Sequence, residues 1–425
     1  MIAWLLISFF VLLFLGVPIA MSLGLSAMGG ILFLGGGSTV TIAQRMFEGM
    51  NSFALLAIPL YTFAGFTMSK GGISKRLMDF CYSIVGHIYG GLAHVNVLSS
   101  MIFAGISGSA VADTAGVSGM FMPEMIRKGY SKNFTVAVTA ISSTIGIIIP
   151  PSIPMVVIAG ICGISTGKLF LGGIIPGILC GLAQMIVSYF LAKKEGVPKE
   201  PGHFTIGPVL HGLWESWPAL LMPIIIVGTI TMGIVSPTEA GVIAVVYGLF
   251  AGGIIYRELK WEDIKFAFAE PVRTSGRIFI VIGAAKLYTV MLTTAGFDKW
   301  VAKTMLGFST NPTVILIMIL LIFFIVTMFM ESIATLTLFM PILYPIALGV
   351  GINPIVLSVL ITVVIGIGLV TPPVGMCIYV ACDLMDTTVG EVFPTLVPFI
   401  AATFVCIALM VAFPQLILLP TYLMA

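Results

Sequence analysis

Residues 142–178 read SSTIGIIIPPSIPMVVIAGICGISTGKLFLGGIIPGI, and residues 362–400 read TVVIGIGLVTPPVGMCIYVACDLMDTTVGEVFPTLVPFI. In each, an apolar run carrying a glycine, Gly146 or Gly366, meets a proline pair, Pro150-Pro151 or Pro372-Pro373, and then resumes as a second apolar run. A proline inside a helix removes one amide donor and its ring clashes with the preceding turn, so two in succession predict a broken helix. Paired broken helices at corresponding places in two halves of a membrane chain point to an ion and substrate site.

Composition places the chain in a membrane. Of 425 residues, 59% are hydrophobic and 8% charged, against about 25% charged in soluble globular chains. The first apolar segment, to about residue 34, has no Lys or Arg ahead of it and no Ala-x-Ala site, so it reads as retained membrane helix rather than signal peptide. A net charge of +2 says nothing about nucleic acid. The six cysteines (81, 162, 180, 377, 382 and 406) lie in apolar stretches without paired ligand spacing and read as packing residues. His87 and His94 share a helix face, where a satisfied polar role is favoured over metal ligation.

The repeat extends beyond the proline pairs. FLGVPIAMSLG (14–24) echoes IVSPTEAGVIA (234–244), KGGISKRLM (70–78) echoes TAGFDKWVA (294–302), and FAGISGSAVADTAGVSGMFMP (103–123) falls opposite FIVTMFMESIATLTLFMP (324–341). One half is therefore 1–192 and the other 219–413, with a polar linker at 193–218 and a tail at 414–425. The broken helices fall at about 133–165 and 353–383. Apolar segments long enough to span, at about 20 residues each, give about eleven crossings in an all-α polytopic membrane protein. The stretch 96–123 is rich in Gly, Ser, Thr and Ala, and 326–345 carries Ser, Thr and Ala beside Glu331. Irregular backbone at membrane depth survives only inside protein or beside water, so these read as two re-entrant helical hairpins.

Lys193, Lys194 and Lys199, and then Arg257, Lys260 and Lys265, flank room for two crossings, which puts both loops on the cytoplasmic side. No Lys or Arg follows Lys303, which favours an external C-terminus. Lys70, Lys75 and Arg76 sit against this pattern, and the topology stays open by one crossing.

The residues beside the breaks suit a hard cation. A Gly-rich hairpin tip at Ser107, Gly108 and Ser109 offers carbonyls and hydroxyls, and the break from Gly146 to Pro150 frees further carbonyls. Such cations take several oxygen ligands, and unwound helix ends supply them without a carboxylate. The second half offers Ser332 and Thr335 in its hairpin and Gly366, Gly368 and Thr371 at its break, so two sites for a hard cation are expected. The competing reading is that small residues merely let helices pack closely; duplication of the break beside the hairpin tells against it. Intramembrane charge marks function by default, which singles out Asp113, Glu239, Lys286 and Glu331. Against this, Lys286 would snorkel and the acids would tie down helix N-termini. An organic acid would be held by half-helix amides and hydroxyls at the hairpin tips, from Ser109, Asp113, Ser152, Glu331, Thr337 and Pro373.

Other mechanisms fit less well. Gly163 to Lys168 is one residue short of a phosphate loop and is followed by Leu169, which leaves ATP-driven transport unsupported. Ser107 and Ser118, each between glycines, with His87 or His94 as base, would make an intramembrane serine protease, but the second half has no such pair. A passive anion channel would explain polar hairpins but not two breaks paired with them.

Taken together, AIPLYTFAG (57–65), GGLAHVNVLSSMIFAGISGSAVAD (90–113), IIPPSIPM (148–155), SPTEAG (236–241) and TPPVGM (371–376) resemble the large membrane subunit of tripartite ATP-independent periplasmic (TRAP) transporters, over nearly the whole chain. The resemblance implies an elevator-type secondary transporter of the bacterial inner membrane, with two inverted repeats and sodium as coupling ion, and no cofactor. It also implies two partners, a small membrane subunit and a periplasmic substrate-binding protein. Family members carry dicarboxylates, sugar acids and other organic acids, and the chain looks nearest the sialic-acid branch.

Overall fold

The computed structural model describes residues 1–35, 38–197 and 205–424, and all regular structure among them is helical. In the first half, α1 (Ile2–Phe14) and α2 (Ile19–Leu34) split the first apolar segment at Gly16, whose φ of +82° suits a residue without Cβ. Then come α3 (Thr39–Met50), α4 (Ala57–Lys70), α5 (Ile73–Val85), α6 (Gly91–Ser107), α7 (Ala110–Arg127), α8 (Lys132–Ser143), α9 (Ile153–Cys162) and α10 (Thr166–Lys194). The second half holds α11 (Ile206–Thr231), α12 (Pro237–Phe250), α13 (Trp261–Thr294), α14 (Phe297–Phe308), α15 (Pro312–Thr327), α16 (Ser332–Gly349), α17 (Pro354–Gly368), α18 (Met376–Asp383) and α19 (Val389–Ala412); a short α20 (Gln415–Leu418) follows. Seven of the described helices are long and apolar enough to cross a membrane.

Local chemistry sets the boundaries. Ser131 caps α8 through the Phe134 amide, while Asn311 and Asn353 cap α15 and α17, each followed by proline at the first helical position. Gly163 ends α9 in the left-handed region and Ser165 caps α10, so the stretch that mimics a phosphate loop is a helix–helix junction.

The two halves interlock reciprocally. Helix α4 packs on α12 and α2 on α13; likewise α7 packs on α18 and α16 on α9. The second arm of each hairpin therefore rests on the second half of the other repeat's broken helix. A separate apolar cluster joins α1, α2 and α13 to the α16 face bearing Ala334, Leu338 and Ile342.

Two boundaries differ from the sequence reading. Both hairpins are longer than their polar stretches, with arms over 91–127 and 312–349; the first arm of the second hairpin, Pro312–Thr327, is as apolar as a spanning helix. The polar linker is helical from Ile206 onward, since Pro208 falls in a first turn whose amides need no intrahelical acceptor. Lys199 and the middle of the linker lie outside the described residues.

Candidate ion and substrate site

At the first tip the chain turns between α6 and α7 at Gly108, with φ of +64°. The Ile153 amide, just past the first proline pair, donates to the Gly108 carbonyl at 3.2 Å. A Cβ at Gly108 would lie 2.7 Å from the Pro151 carbonyl oxygen, so only glycine lets tip and break approach this closely. Ser107 is buried against Gly65, and Ser109 caps α7 by accepting from the Ala112 amide at 3.4 Å. Helix α8 tightens into a 3-10 turn at Thr144–Ile147, and Ser152 then caps α9 while its hydroxyl donates to the Ile147 carbonyl.

The second tip repeats the contact: the Val374 amide donates to the Met328 carbonyl at 3.0 Å. Thr371 donates its hydroxyl to the Ile367 carbonyl at 2.7 Å, which parallels Ser152 on Ile147. Gly368 lies so close to Thr327 on α15 that a Cβ would collide with its hydroxyl. Both X-Pro bonds within the pairs, Pro150-Pro151 and Pro372-Pro373, are cis.

Among the described residues, the breaks leave equivalent carbonyls without a backbone donor. Four residues beyond Gly146 stands Pro150, which has no amide hydrogen, and the Ile149 amide turns to Ile145. Four beyond Gly366, the Val370 amide turns to Ile367 instead. Buried carbonyls are nearly always paired, so two unpaired ones at matching places mark oxygen available to a ligand. The breaks also meet each other: a Cβ at Gly366 would lie 3.3 Å from Thr144 Cβ, in the 3-10 turn that contains Gly146.

Asp113 lies beside the first break. A Cβ at Gly146 would be 3.5 Å from Asp113 Cβ and 3.6 Å from the Ser109 carbonyl oxygen. Asp113 is fully buried in the first turn of α7, and among the described residues neither carboxylate oxygen has a hydrogen-bond partner. The adjacent Ser100 hydroxyl donates instead to Ser142 at 3.2 Å. Ser142 donates to Asn96 at 3.0 Å, and Asn96 to Thr139 at 2.8 Å. These four polar residues, and Thr144 opposite Gly366, escaped the sequence reading; only the run Ser142-Ser143-Thr144 hinted at them.

Other singled-out residues do structural work in this conformation. Glu331 caps α16 by accepting from the Ile333 and Ala334 amides at 3.0 and 3.3 Å. The Thr335 and Thr337 hydroxyls donate to the Glu331 and Ile333 carbonyls one turn back, and Ser332 is buried at the start of the same helix. Glu239 forms a capping box with Ser236, and Lys286 packs its stem on Gly49. Ser109, Asp113 and Gly146 are thus brought together, as are Gly366 and the turn holding Gly146.

The protease geometry is not formed. Ser107 and His94 are thirteen residues apart on one helix, roughly 20 Å along its axis. The Ser118 hydroxyl is buried without a partner, and His94 Nε2 pairs with the Tyr89 carbonyl at 3.1 Å.

Residues 6–416 match the family described as the DctM component of the tripartite ATP-independent periplasmic transporter. The chain belongs to this family. It is 37% identical over 393 residues to the isethionate TRAP transporter permease protein DctMQ of Oleidesulfovibrio alaskensis, covering 92% of this chain and 62% of that protein's length. It is 35% identical to the sialic acid large permease protein SiaM of Vibrio cholerae, over 96% of this chain and 95% of the relative. The C4-dicarboxylate large permease protein DctM of Pseudomonas aeruginosa is also 35% identical, over 95% and 94%. Among solved structures, the Alcanivorax borkumensis YdaH transporter, described as having an unusual topology, superposes with a TM-score of 0.62 at 14% identity over 87% of this chain and 86% of that one. At that identity the likeness concerns the fold alone. As a DctM-family protein with seven apolar spans, the chain is a multi-pass integral inner-membrane protein and a transport permease rather than an enzyme.

Proposed function

We propose that this DctM-family chain takes up an organic acid by sodium symport, moving its hairpins and broken helices as an elevator against a scaffold that includes α1, α2, α11 and α12. The observation that carries the reading is the duplicated pair of unpaired carbonyls, Gly146 and Gly366, each beside a hairpin tip that is bonded to its own break. One sodium ion is assigned to Ser107, Gly108, Ser109, Gly146 and Pro150. The other is assigned to Ser332, Thr335, Gly366, Gly368 and Thr371. Neutral oxygens in this number suit a weakly held monovalent ion that must bind and leave.

The substrate is assigned to the space between the tips, with Ser109, Asp113, Ser152, Glu331, Thr337 and Pro373 as its candidate contacts. Amide-rich starts of α7 and α9 favour a carboxylate there. Relatives named for sialic acid, C4-dicarboxylates and 2,3-diketo-L-gulonate support an organic acid, with sialic acid the first to test. A small membrane subunit and a periplasmic binding protein complete the system. The test is uptake in proteoliposomes holding all three proteins: transport is expected only with an inward sodium gradient, without response to ATP. Uptake by this chain alone, without sodium, would contradict the assignment.

A further inference from the structure

Away from the tips, Val242, Ile243, Val246, Tyr247 and Phe250 line a shallow, open groove along the outer face of α12. Ile254 carries the same strip one turn further and is 62% exposed. From Val242 to Ile254 the strip is roughly 18 Å long at 1.5 Å per residue, close to one leaflet of a core about 30 Å thick.

The cytoplasmic end of the strip is chemically distinct. Helix α12 widens into a π-helical turn at Ala251–Ile255, a feature frequent at functional sites. Beyond it, Arg257 stands in the left-handed region at φ +55°, uncommon for a residue with a side chain. Its guanidinium has no hydrogen-bond or ion-pair partner among the described residues, whereas nearby Arg76 is committed to Glu258 at 2.7 Å. Trp214, Trp217 and Trp261 are exposed, and the Tyr256 hydroxyl donates to the Glu215 carbonyl at 2.9 Å, which sets the Trp214–Trp217 segment at the level of Arg257. Exposed tryptophans beside Lys and Arg mark the cytoplasmic interface.

We propose that this groove holds an acyl chain of an anionic phospholipid of the cytoplasmic leaflet, with its phosphate at Arg257 and Lys260. The strip's length selects a lipid tail, and an unpaired cation at its polar end selects an anionic headgroup. Each such cation is worth about fivefold in affinity.

The purified full chain would be titrated with phosphatidylglycerol and phosphatidylcholine of the same acyl length, with bound lipid counted by native mass spectrometry. Phosphatidylglycerol is expected to bind about 25-fold more tightly, a preference cut about fivefold by Arg257→Gln and kept by Arg257→Lys. Val246→Trp is expected to lower occupancy by both lipids. Should that variant fold poorly, a photoreactive benzoyl-phenylalanine at position 246 in native membranes is expected to yield a phospholipid adduct. Equal binding of the two lipids, an unchanged preference in Arg257→Gln, displacement by inorganic phosphate, or a cross-link from position 246 to another membrane polypeptide would each overturn the proposal.

Discussion

Ile153 donates its amide to the Gly108 carbonyl across 3.2 Å, tying the first hairpin tip to the chain just past the first proline pair. Val374 and Met328 make the corresponding bond at 3.0 Å. Each tip and its break therefore move together, and a residue that parts them should disable the site without unfolding the membrane domain.

Gly108→Ala tests that coupling. The new Cβ would meet the Pro151 carbonyl oxygen at 2.7 Å on a backbone with φ of +64°, a strain of roughly 1–3 kcal/mol. Uptake is expected to fall more than tenfold while the amount of protein in the membrane falls less than twofold. Gly116→Ala, where a Cβ meets nothing within 4 Å, is the matched control and should leave uptake unchanged.

Thr371→Ala removes the hydroxyl that bonds the Ile367 carbonyl at 2.7 Å and leaves the proline pair in place. Losing one such group is worth roughly 1–3 kcal/mol, or about 5- to 150-fold in affinity. The sodium concentration for half-maximal uptake should rise, with rescue by excess sodium and full activity in Thr371→Ser. An unchanged sodium response with less folded protein would make Thr371 a packing residue.

Gly366→Val should be worse and not rescued by sodium, because its Cβ meets Thr144 Cβ at 3.3 Å and the branches have nowhere to go. Thr144→Gly in the same chain should restore part of the folded protein. Non-additivity between the two, read by thermal unfolding, would establish that the breaks touch.

How much of this was legible beforehand depended on the kind of signal. The breaks stand out because Pro150-Pro151 and Pro372-Pro373 cannot continue a helix, the first tip because Gly and Ser are conspicuous in an apolar chain, and the second because of Glu331 and Ser332. The hairpin arms do not, since Pro312–Thr327 is as apolar as any spanning helix. Nor does the Ser100–Ser142–Asn96–Thr139 chain, whose two halves, on α6 and on α8, are far apart in sequence and meet only when these helices pack. Glu331 and Glu239 drew attention as intramembrane charges, yet each caps a helix start, a role that sequence position alone leaves open.

Elevator movement makes a separate prediction at the α13–α16 contact, where Ala285 and Tyr288 share a cluster with Ala334 and Leu338. In a background lacking the native cysteines, a cysteine pair across this contact should cross-link with a yield that changes when sodium and substrate are added. One yield under all conditions would favour a rigid channel.

The most direct measurement is sodium-dependent thermal stability of the purified chain, because it needs neither partner nor substrate. A ligand that binds only the folded state at a hundredfold excess over its dissociation constant stabilises it by about 2.7 kcal/mol. The melting temperature is expected to rise by several degrees with sodium chloride but not with choline chloride at equal ionic strength, and the rise should shrink in Thr371→Ala and Gly366→Val. Equal responses to the two salts in the wild-type chain would contradict ion sites at the paired breaks.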